Sequence, residues 1–278
     1  MALSPVEDSL MNAASPNDAV FTRWGLLFDL RLFPKGAKPT TRNLAALVEL
    51  KMNTFKWLEA KYSEGWRSYH TMHHVRDLLD KLDHVHELVM AHDSKEVSRA
   101  EAETLITLAI LFHDVVYDVG PAVKAPGQNE RLSADAFLDF CAKAEKHDSC
   151  GSWIRHKHRV ANWILATANH TKAPHGVDLD LDLFLDLDMS ILGEDPRAYE
   201  TYVEQIRAEY KHLSDEEFRR GRAQVLRTFL AEGPRLFRRP EMRSELAKAA
   251  LDNMKRELAA LERGPPASKQ PPSNASKL

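Results

Sequence analysis

A histidine and an aspartate, His113 and Asp114, follow one another at the end of the most apolar stretch of the chain, LAILFHDVVYD at residues 108–118. Burying a carboxylate without a partner is costly or shifts its protonation, so buried charges are normally paired or bound to a metal. A satisfied pair in the core is the ordinary explanation of such a doublet. Further residues of the same types, at suitable spacing, favour a metal site instead.

Two other segments carry histidines and acids in a similar setting. In YHTMHHV, His70 and His74 lie four residues apart, and side chains at this spacing share one face of a helix. In DLFLDLDMSILG, Asp186 and Asp188 lie among leucines and an isoleucine, where an acid needs a partner. A divalent cation would supply one. From the residues alone, His73 could replace either neighbouring histidine, and Asp186 competes with Asp188.

These segments resemble the HD superfamily of metal-dependent phosphohydrolases, and the likeness is closest to its branch of predicted phosphohydrolases with unassigned substrate. The similar blocks are YHTMHHV, LAILFHDVVYD, the NERLSA that follows, and FLDLDMSILG, with IRAEY and GRAQVL later in the chain. They span roughly residues 20–262. The dipeptide HD alone is trivial, but four matching blocks in the same order are specific.

The resemblance implies a set of metal ligands, which by position are His74, His113, Asp114 and Asp188. His74 is preferred to His70 because it is similar to the later histidine of the YHxxxH pattern in cyclic-nucleotide phosphodiesterases. Asp188 is preferred to Asp186 because the last ligand of the superfamily usually precedes a small helical turn. Mixed histidine and aspartate ligation suits a divalent ion of Mn, Mg, Fe, Co or Zn.

The resemblance also implies catalytic residues. By the likeness to phosphodiesterases, His70 would donate a proton to the leaving oxygen. Asp118, four residues after Asp114, and Glu130 in the NE pair are candidates for handling protons or orienting the water that a metal activates. HDVVYD is also similar to the HDxxED of alarmone hydrolases, but Tyr117 stands in place of their glutamate. That departure argues against alarmone specificity.

Four residues are candidates for binding the phosphate of a substrate. His170, in ATANHT, resembles a later histidine that some relatives use at a second metal or on substrate phosphate. Arg131, Arg207 and Arg222 lie within the family-like blocks, and arginine pairs with phosphate in a bidentate manner. A solvated surface position is the alternative for each arginine, because most arginines are exposed.

The elements that carry these residues are predicted to be helices. Only 11 of 278 residues are glycine, and apolar residues recur at helical spacing. Capping boxes at Ser98 and Ser214 and a proline at position 196 mark helix starts. The expected helices are two within 19–63, one at 74–92, one from Ser98, and others at 130–146, 153–170, 182–192, 196–213, 215–231 and 240–263.

The pattern predicts the all-α fold class, and the resemblance implies one HD-type helical bundle domain over residues 17–263. Residues 1–16 are expected to be disordered, and residues 264–278 form a Pro- and Ser-rich tail. The segment between Val119 and Asn129 contains two glycines and two prolines and is expected to be a loop beside the most buried helix. Such loops often form part of a site.

Composition excludes several classes of protein. The net charge of -3 argues against general nucleic-acid binding, which usually needs a basic excess. The longest apolar stretch, residues 105–112, is far shorter than the roughly 20 residues that cross a bilayer. Two cysteines, Cys141 and Cys150, fit a reducing compartment without disulfides. The sequence therefore predicts a soluble protein and leaves its oligomeric state open, with a homodimer among the alternatives.

The chain ends in Ser276-Lys277-Leu278, which is the address read by the peroxisomal import receptor. The polar tail before it would keep the signal accessible. The sequence therefore predicts a peroxisome or a related organelle such as a glycosome, with a cytoplasmic location as the alternative.

Together these features predict an enzyme, a metal-dependent phosphohydrolase acting on a phosphate ester of a nucleotide or a small phosphorylated metabolite. A di-iron oxygenase of the HD type is one alternative, and it would need further histidine ligands such as His170. A catalytically silent binding protein that keeps the fold is another.

Overall fold

Helices account for all regular secondary structure in the part of the chain that the computed structural model describes, residues 15–33, 41–89, 98–120, 125–147 and 150–263. The all-α prediction is therefore confirmed. The helices are α1 (Pro16–Leu27), α2 (Thr41–Tyr62), α3 (Met72–Val89), α4 (Arg99–Phe112), α5 (Gln128–Ala144), α6 (Lys157–Ala166), α7 (Leu179–Asp188), α8 (Pro196–Glu209), α9 (Asp215–Glu232) and α10 (Pro240–Arg263). Shorter helical turns are a π-helical Phe28–Leu32 and 3-10 turns at Ser152–His156, Thr167–Asn169, Met189–Gly193 and Gly233–Leu236.

Helix α4 lies at the centre of the domain. Every residue from Thr104 to Phe112 is buried, as its uniformly apolar sequence predicts. It packs against α3, α5, α6 and α7, and Phe112 stacks on Phe140 of α5. A helix buried on every side brings whatever follows its last turn into the interior, and here the next two residues are His113 and Asp114.

Helix starts agree with the capping signals of the sequence. At α9 the capping box of Ser214 and Glu217 is complete in both directions. At α4 only half of the predicted box forms, because Ser98 accepts from the Glu101 N–H while the Glu101 carboxylate binds Ser152 and Arg155. Asp195 caps α8, with Pro196 in the first turn.

Several predicted boundaries differ from the structure by a few residues, including the ends of the helices expected at 130–146 and 196–213. Ser15 caps α1, so the segment expected to be disordered, residues 1–16, runs into the start of a helix. The helix expected at 153–170 is α only over α6 and is 3-10 at both ends. Helix α7 begins three residues earlier than expected because the Asp178 carboxylate accepts from two backbone N–H groups of its first turn.

The 3-10 turn after α7 packs closely against α10 at Gly193. A Cβ at Gly193 would lie 2.7 Å from the Cβ of Leu246, so only glycine fits there without movement. The 3-10 turn Met189–Gly193 packs along α10. This contact fixes the end of α7 and therefore the position of Asp188.

None of the helices in the described ranges is long and apolar enough to cross a membrane, as expected. Residues 1–14 and the tail 264–278 lie outside the described residues. The import signal Ser276-Lys277-Leu278 is among them and stays a prediction.

Candidate metal centre

Three helix ends meet to form the candidate centre. His74 lies in the first turn of α3, and His113 and Asp114 follow α4 directly. Asp188 is the last residue of α7. The four residues preferred from the sequence as metal ligands are therefore brought together from the ends of two consecutive helices and a third that is distant in the chain.

The donor atoms of this cluster converge on one point. The Nε2 atoms of His74 and His113 lie 3.3 Å apart. The Asp114 Oδ2 atom lies 2.9 Å from His113 Nε2 and 3.8 Å from His74 Nε2. Asp188 Oδ1 lies 3.4 Å and 3.5 Å from the same two nitrogen atoms. His74, His113 and Asp114 offer ligand atoms within 4.8 Å of one another, and Asp188 adjoins both histidine nitrogens, so the set fits a divalent cation.

A hydrogen bond sets the tautomer of His113. Its Nδ1 atom lies 2.9 Å from the carbonyl oxygen of Ile110 and must donate to it, because a carbonyl can only accept. In the neutral ring the Nε2 lone pair then faces the cluster. An orienting bond of this kind on the far nitrogen is usual for metal-binding histidines.

The protonation of the cluster reflects its crowded charges. Burial alone would lower the pKa of His113, but the charges of Asp114 and Asp188 raise it well above the ordinary value. Burial alone would raise the pKa of Asp188, but the His113 charge and hydrogen bonds lower it well below that of a free carboxyl. The two acids thus stay ionised and need a positive charge between them. A bound cation would take the place of the proton.

The two alternatives left open by the sequence are distinguished by burial and contacts. His73 is exposed, whereas His74 is buried in the cluster. Asp186 lies outside the cluster, and its two oxygens accept the backbone N–H groups of Arg238 and Arg239 at 2.7 Å each. Burial raises the pKa of Asp186 to about 7. Asp186 thus anchors the start of α10.

His70 lies beside the cluster and is held by an acid that the sequence analysis missed, Glu209 of α8. His70 Nδ1 donates to Glu209 Oε2 at 2.7 Å, and His70 Nε2 lies 3.9 Å from Asp114 Oδ2. The other oxygen of Glu209 accepts the backbone N–H groups of Ser68, Tyr69 and His70 at 2.8–2.9 Å. Glu209 therefore fixes both the turn before α3 and the orientation of the His70 ring.

One sequence signal marks Glu209. It follows Tyr202 and Ile206 at helical spacing on the buried face of α8, where an acid requires a partner.

Arg67 is a second residue near the cluster that the sequence analysis missed. Its guanidinium, with a fully buried side chain, donates to the carbonyl oxygens of His70 and Asp114 at 3.1 and 2.7 Å. This ties the His70 turn to the end of α4.

His170 meets the cluster from the opposite side. Its Nε2 atom lies 2.8 Å from Asp188 Oδ2, the oxygen that does not face His74 and His113. The buried guanidinium of Arg238 donates to the carbonyl oxygens of His170 and Ala173. It also pairs with Asp182 at 3.2 Å. Arg238 thus holds the segment that carries His170.

Asp118 lies before the loop that precedes α5, Glu130 and Arg131 lie in the first turn of α5, and the hydrogen bonds of Asp118 and Arg131 are local. The Asp118 carboxylate accepts from the Gly120 N–H at 2.7 Å, and its backbone bonds to the side chain of Asn129. Arg131 is exposed and donates to the Pro126 carbonyl at 3.3 Å. Glu130 is half-buried in the first turn of α5. The structure gives Asp118 a role in shaping the loop, since its short side chain bonds locally.

Arg207 and Arg222, predicted to bind substrate, are engaged elsewhere. The Arg207 guanidinium donates to the Tyr210 carbonyl at 2.8 Å, caps the end of α8 and pairs with Asp215 at 2.7 Å. The Arg222 side chain is 8% exposed, and its guanidinium donates to Glu257 through two nitrogens, at 2.7 and 3.1 Å. Both guanidinium groups are thus occupied by structural partners, so the structure does not place them in a phosphate site.

The Glu209→Gln variant is expected to lower the free energy of unfolding at pH 7 by about 3 kcal/mol. Burial alone would raise the pKa of Glu209, but the hydrogen bonds from His70 and the backbone lower it to about 2, from an ordinary 4.5. This stabilisation is complete above pH 4.5 and is lost as the pH falls towards 2. Urea unfolding at several pH values should therefore show the two proteins converging in acid, and a constant difference would contradict this account.

In comparisons with known proteins, no family model, no curated protein and no solved structure matches this chain.

Proposed function

We propose that this protein is a metal-dependent phosphohydrolase of the HD type, acting on a phosphate ester of a nucleotide or a small phosphorylated metabolite. The observation that carries the proposal is the convergence of four side chains, the proposed metal ligands His74, His113, Asp114 and Asp188. Three of them offer ligand atoms within 4.8 Å of one another, as one divalent cation requires.

The donor set suits hydrolysis. Four histidine and carboxylate ligands do not fill an octahedral ion, so positions remain for water and substrate. A divalent ion bound there would lower the pKa of water and polarise a phosphoryl oxygen. Asp114 and Asp188 remain 18% and 13% exposed, so the cluster can be reached from solvent.

His70 supplies a proton in this proposal. Its Nδ1 atom donates to Glu209, and its Nε2 atom lies 3.9 Å from Asp114 Oδ2. Burial alone would lower the pKa of His70, but the Asp114 charge and the hydrogen bond to Glu209 raise it. Because these carboxylates favour the protonated ring, His70 is suited to act as a general acid towards a reacting group beside it.

The contact between His170 and Asp188 favours a second candidate, a di-iron oxygenase. Because the two oxygens of Asp188 face different partners, the carboxylate could bridge two ions, with His170 on the second. Two bound irons per chain together with oxygen-dependent turnover would support the oxygenase. One ion and phosphate release would support the hydrolase.

A phosphate-release screen tests the proposed function directly. The full chain is incubated with nucleotides and sugar phosphates in Mn²⁺, Mg²⁺ and Co²⁺ in turn. We expect release from at least one substrate class, abolished by a chelator and restored by the metal. No release with any of these ions would refute the hydrolase.

Two neighbouring histidines provide a matched control for the screen. His74→Asn should lose metal binding in calorimetry and phosphate release together, because it removes a ligand. His73→Asn should behave as the unmodified protein, since His73 is exposed and outside the cluster. Equal effects of the two substitutions would show that the cluster is not the metal site.

A further inference from the structure

Tyr117, three residues after Asp114, makes two contacts with the machinery around His70. Its ring lies against the His70 ring, with centroids 4.0 Å apart and planes 29° apart. Its hydroxyl donates to Glu209 Oε2 at 3.1 Å. Glu209 Oε2 is the same oxygen that accepts from His70 Nδ1. One tyrosine thus covers a face of the histidine and shares its hydrogen-bond partner.

Tyr117 is itself firmly held. Trp66 Nε1 donates to the Tyr117 carbonyl at 3.2 Å. The guanidinium carbon of Arg67 lies 5.6 Å from the centre of the tyrosine ring, within the range of a cation–π contact. Because Arg67 also binds the carbonyl oxygens of His70 and Asp114, one guanidinium connects the tyrosine, the histidine and the metal-ligand segment.

The remaining freedom of the His70 ring is small. Glu209 fixes its Nδ1 edge, and Tyr117 closes one face. A flip that exchanged the two ring nitrogens would break the 2.7 Å bond to Glu209. Nε2 is therefore the one nitrogen presented to the metal-ligand side, 3.9 Å from Asp114.

We propose that Tyr117 is a positioning residue that holds His70 so that its Nε2 proton is delivered to the leaving oxygen of the substrate. This inference rests on the proposed hydrolase function. As water attacks phosphorus, the bond from phosphorus to the ester oxygen breaks and its electron pair passes to that oxygen. The Nε2 proton of His70 neutralises it. The proton lost by water restores His70, so the products are an alcohol and phosphate.

The test exploits leaving groups that differ in their need for a proton. Tyr117→Phe removes only the hydroxyl and is compared on 4-nitrophenyl phosphate and on an alkyl phosphate ester hydrolysed in the screen. The nitrophenolate leaves without a proton, whereas the alkoxide requires one. We expect kcat to fall about tenfold on the alkyl ester, and less than about twofold on the aryl ester, with KM unchanged.

Tyr62→Phe is the matched control. Tyr62 is a buried tyrosine that also contacts Arg67, at 5.3 Å, but its hydroxyl donates to the Leu111 carbonyl at 3.1 Å. Removing the Tyr62 hydroxyl measures the cost of losing a buried hydroxyl in the same region. The ratio of kcat on the alkyl ester to kcat on the aryl ester should stay as in the unmodified protein. An equal fall on both esters in Tyr117→Phe would overturn the proposal.

A second readout does not depend on turnover. Long-range proton–nitrogen NMR spectra of the protein with Mg²⁺ should show one sharp His70 ring pattern, with a proton on Nδ1 throughout and a second on Nε2 in the acid form that donates, identified by its loss in His70→Gln. In Tyr117→Phe this signal should broaden or shift, while Tyr62→Phe leaves it in place. An unchanged signal in Tyr117→Phe would overturn the positioning role. Failure of the unmodified protein to release phosphate would refute the hydrolase instead, and the spectra would still decide how His70 is held.

Discussion

Asp188→Asn is expected to abolish metal binding and phosphate release while the protein remains folded. Asp188 places one oxygen against His74 and His113 and the other against His170, so its charge is shared by three rings. Losing a residue next to a metal ligand already costs about 10–100-fold in affinity. Losing the ligand itself should cost at least about 100-fold. Calorimetric titration with Mn²⁺ and the phosphate-release assay measure the two effects.

Asp186→Asn is the matched control, because it makes the same chemical change two residues earlier in the same helix. Asp186 contacts no ligand of the cluster and accepts two backbone N–H groups before α10. An asparagine offers one oxygen for two donors, so the free energy of unfolding should fall by about 1–3 kcal/mol. Metal affinity should stay within a few-fold of the unmodified protein. Loss of metal in Asp186→Asn without loss of stability would reverse the assignment of the two acids.

The sequence could predict those parts of the centre that depend on local pattern and on the cost of burying charge. The apolar part of α4, residues 104–112, had to be central, and the acids at its end and in α7 required partners. The all-α fold class followed from the spacing of apolar residues and from the capping signals. These are properties of short segments, and the structure brings the predicted ligands together as the segments pack.

Partners that are distant in the chain could not be predicted in this way. Glu209 lies 139 residues from His70, and nothing in the segment IRAEY shows that α8 packs against the turn before α3. The same limit applies to the arginines that the sequence offered as phosphate-binding residues. The sequence marks Arg222 as a cation in a family-like block, but only the packing of α9 on α10 shows that Glu257 neutralises it.

Arg238 is a further example of a long-range partner. Among the substitutions predicted in this protein, its removal is expected to lower the free energy of unfolding the most. The side chains of Arg238 and Asp182 are each 2% exposed, and the two pair at 3.2 Å. In Arg238→Met, Asp182 stays buried with the Gly176 N–H as its remaining partner. Breaking a buried pair in this way lowers the free energy of unfolding by about 3–5 kcal/mol. Urea unfolding at pH 7 measures the change.

The exposed Arg235, three residues earlier, gives the control for this prediction. Arg235→Met removes the same group from the surface and should change the free energy of unfolding by about 0.5 kcal/mol or less. Because Arg238 also binds the carbonyl oxygen of His170, its loss should free the segment that brings His170 to Asp188. Amide exchange across residues 167–176 should then rise in Arg238→Met and not in Arg235→Met. Similar stability losses in both variants would contradict the buried pair, since exposed guanidinium groups contribute at most about 1 kcal/mol.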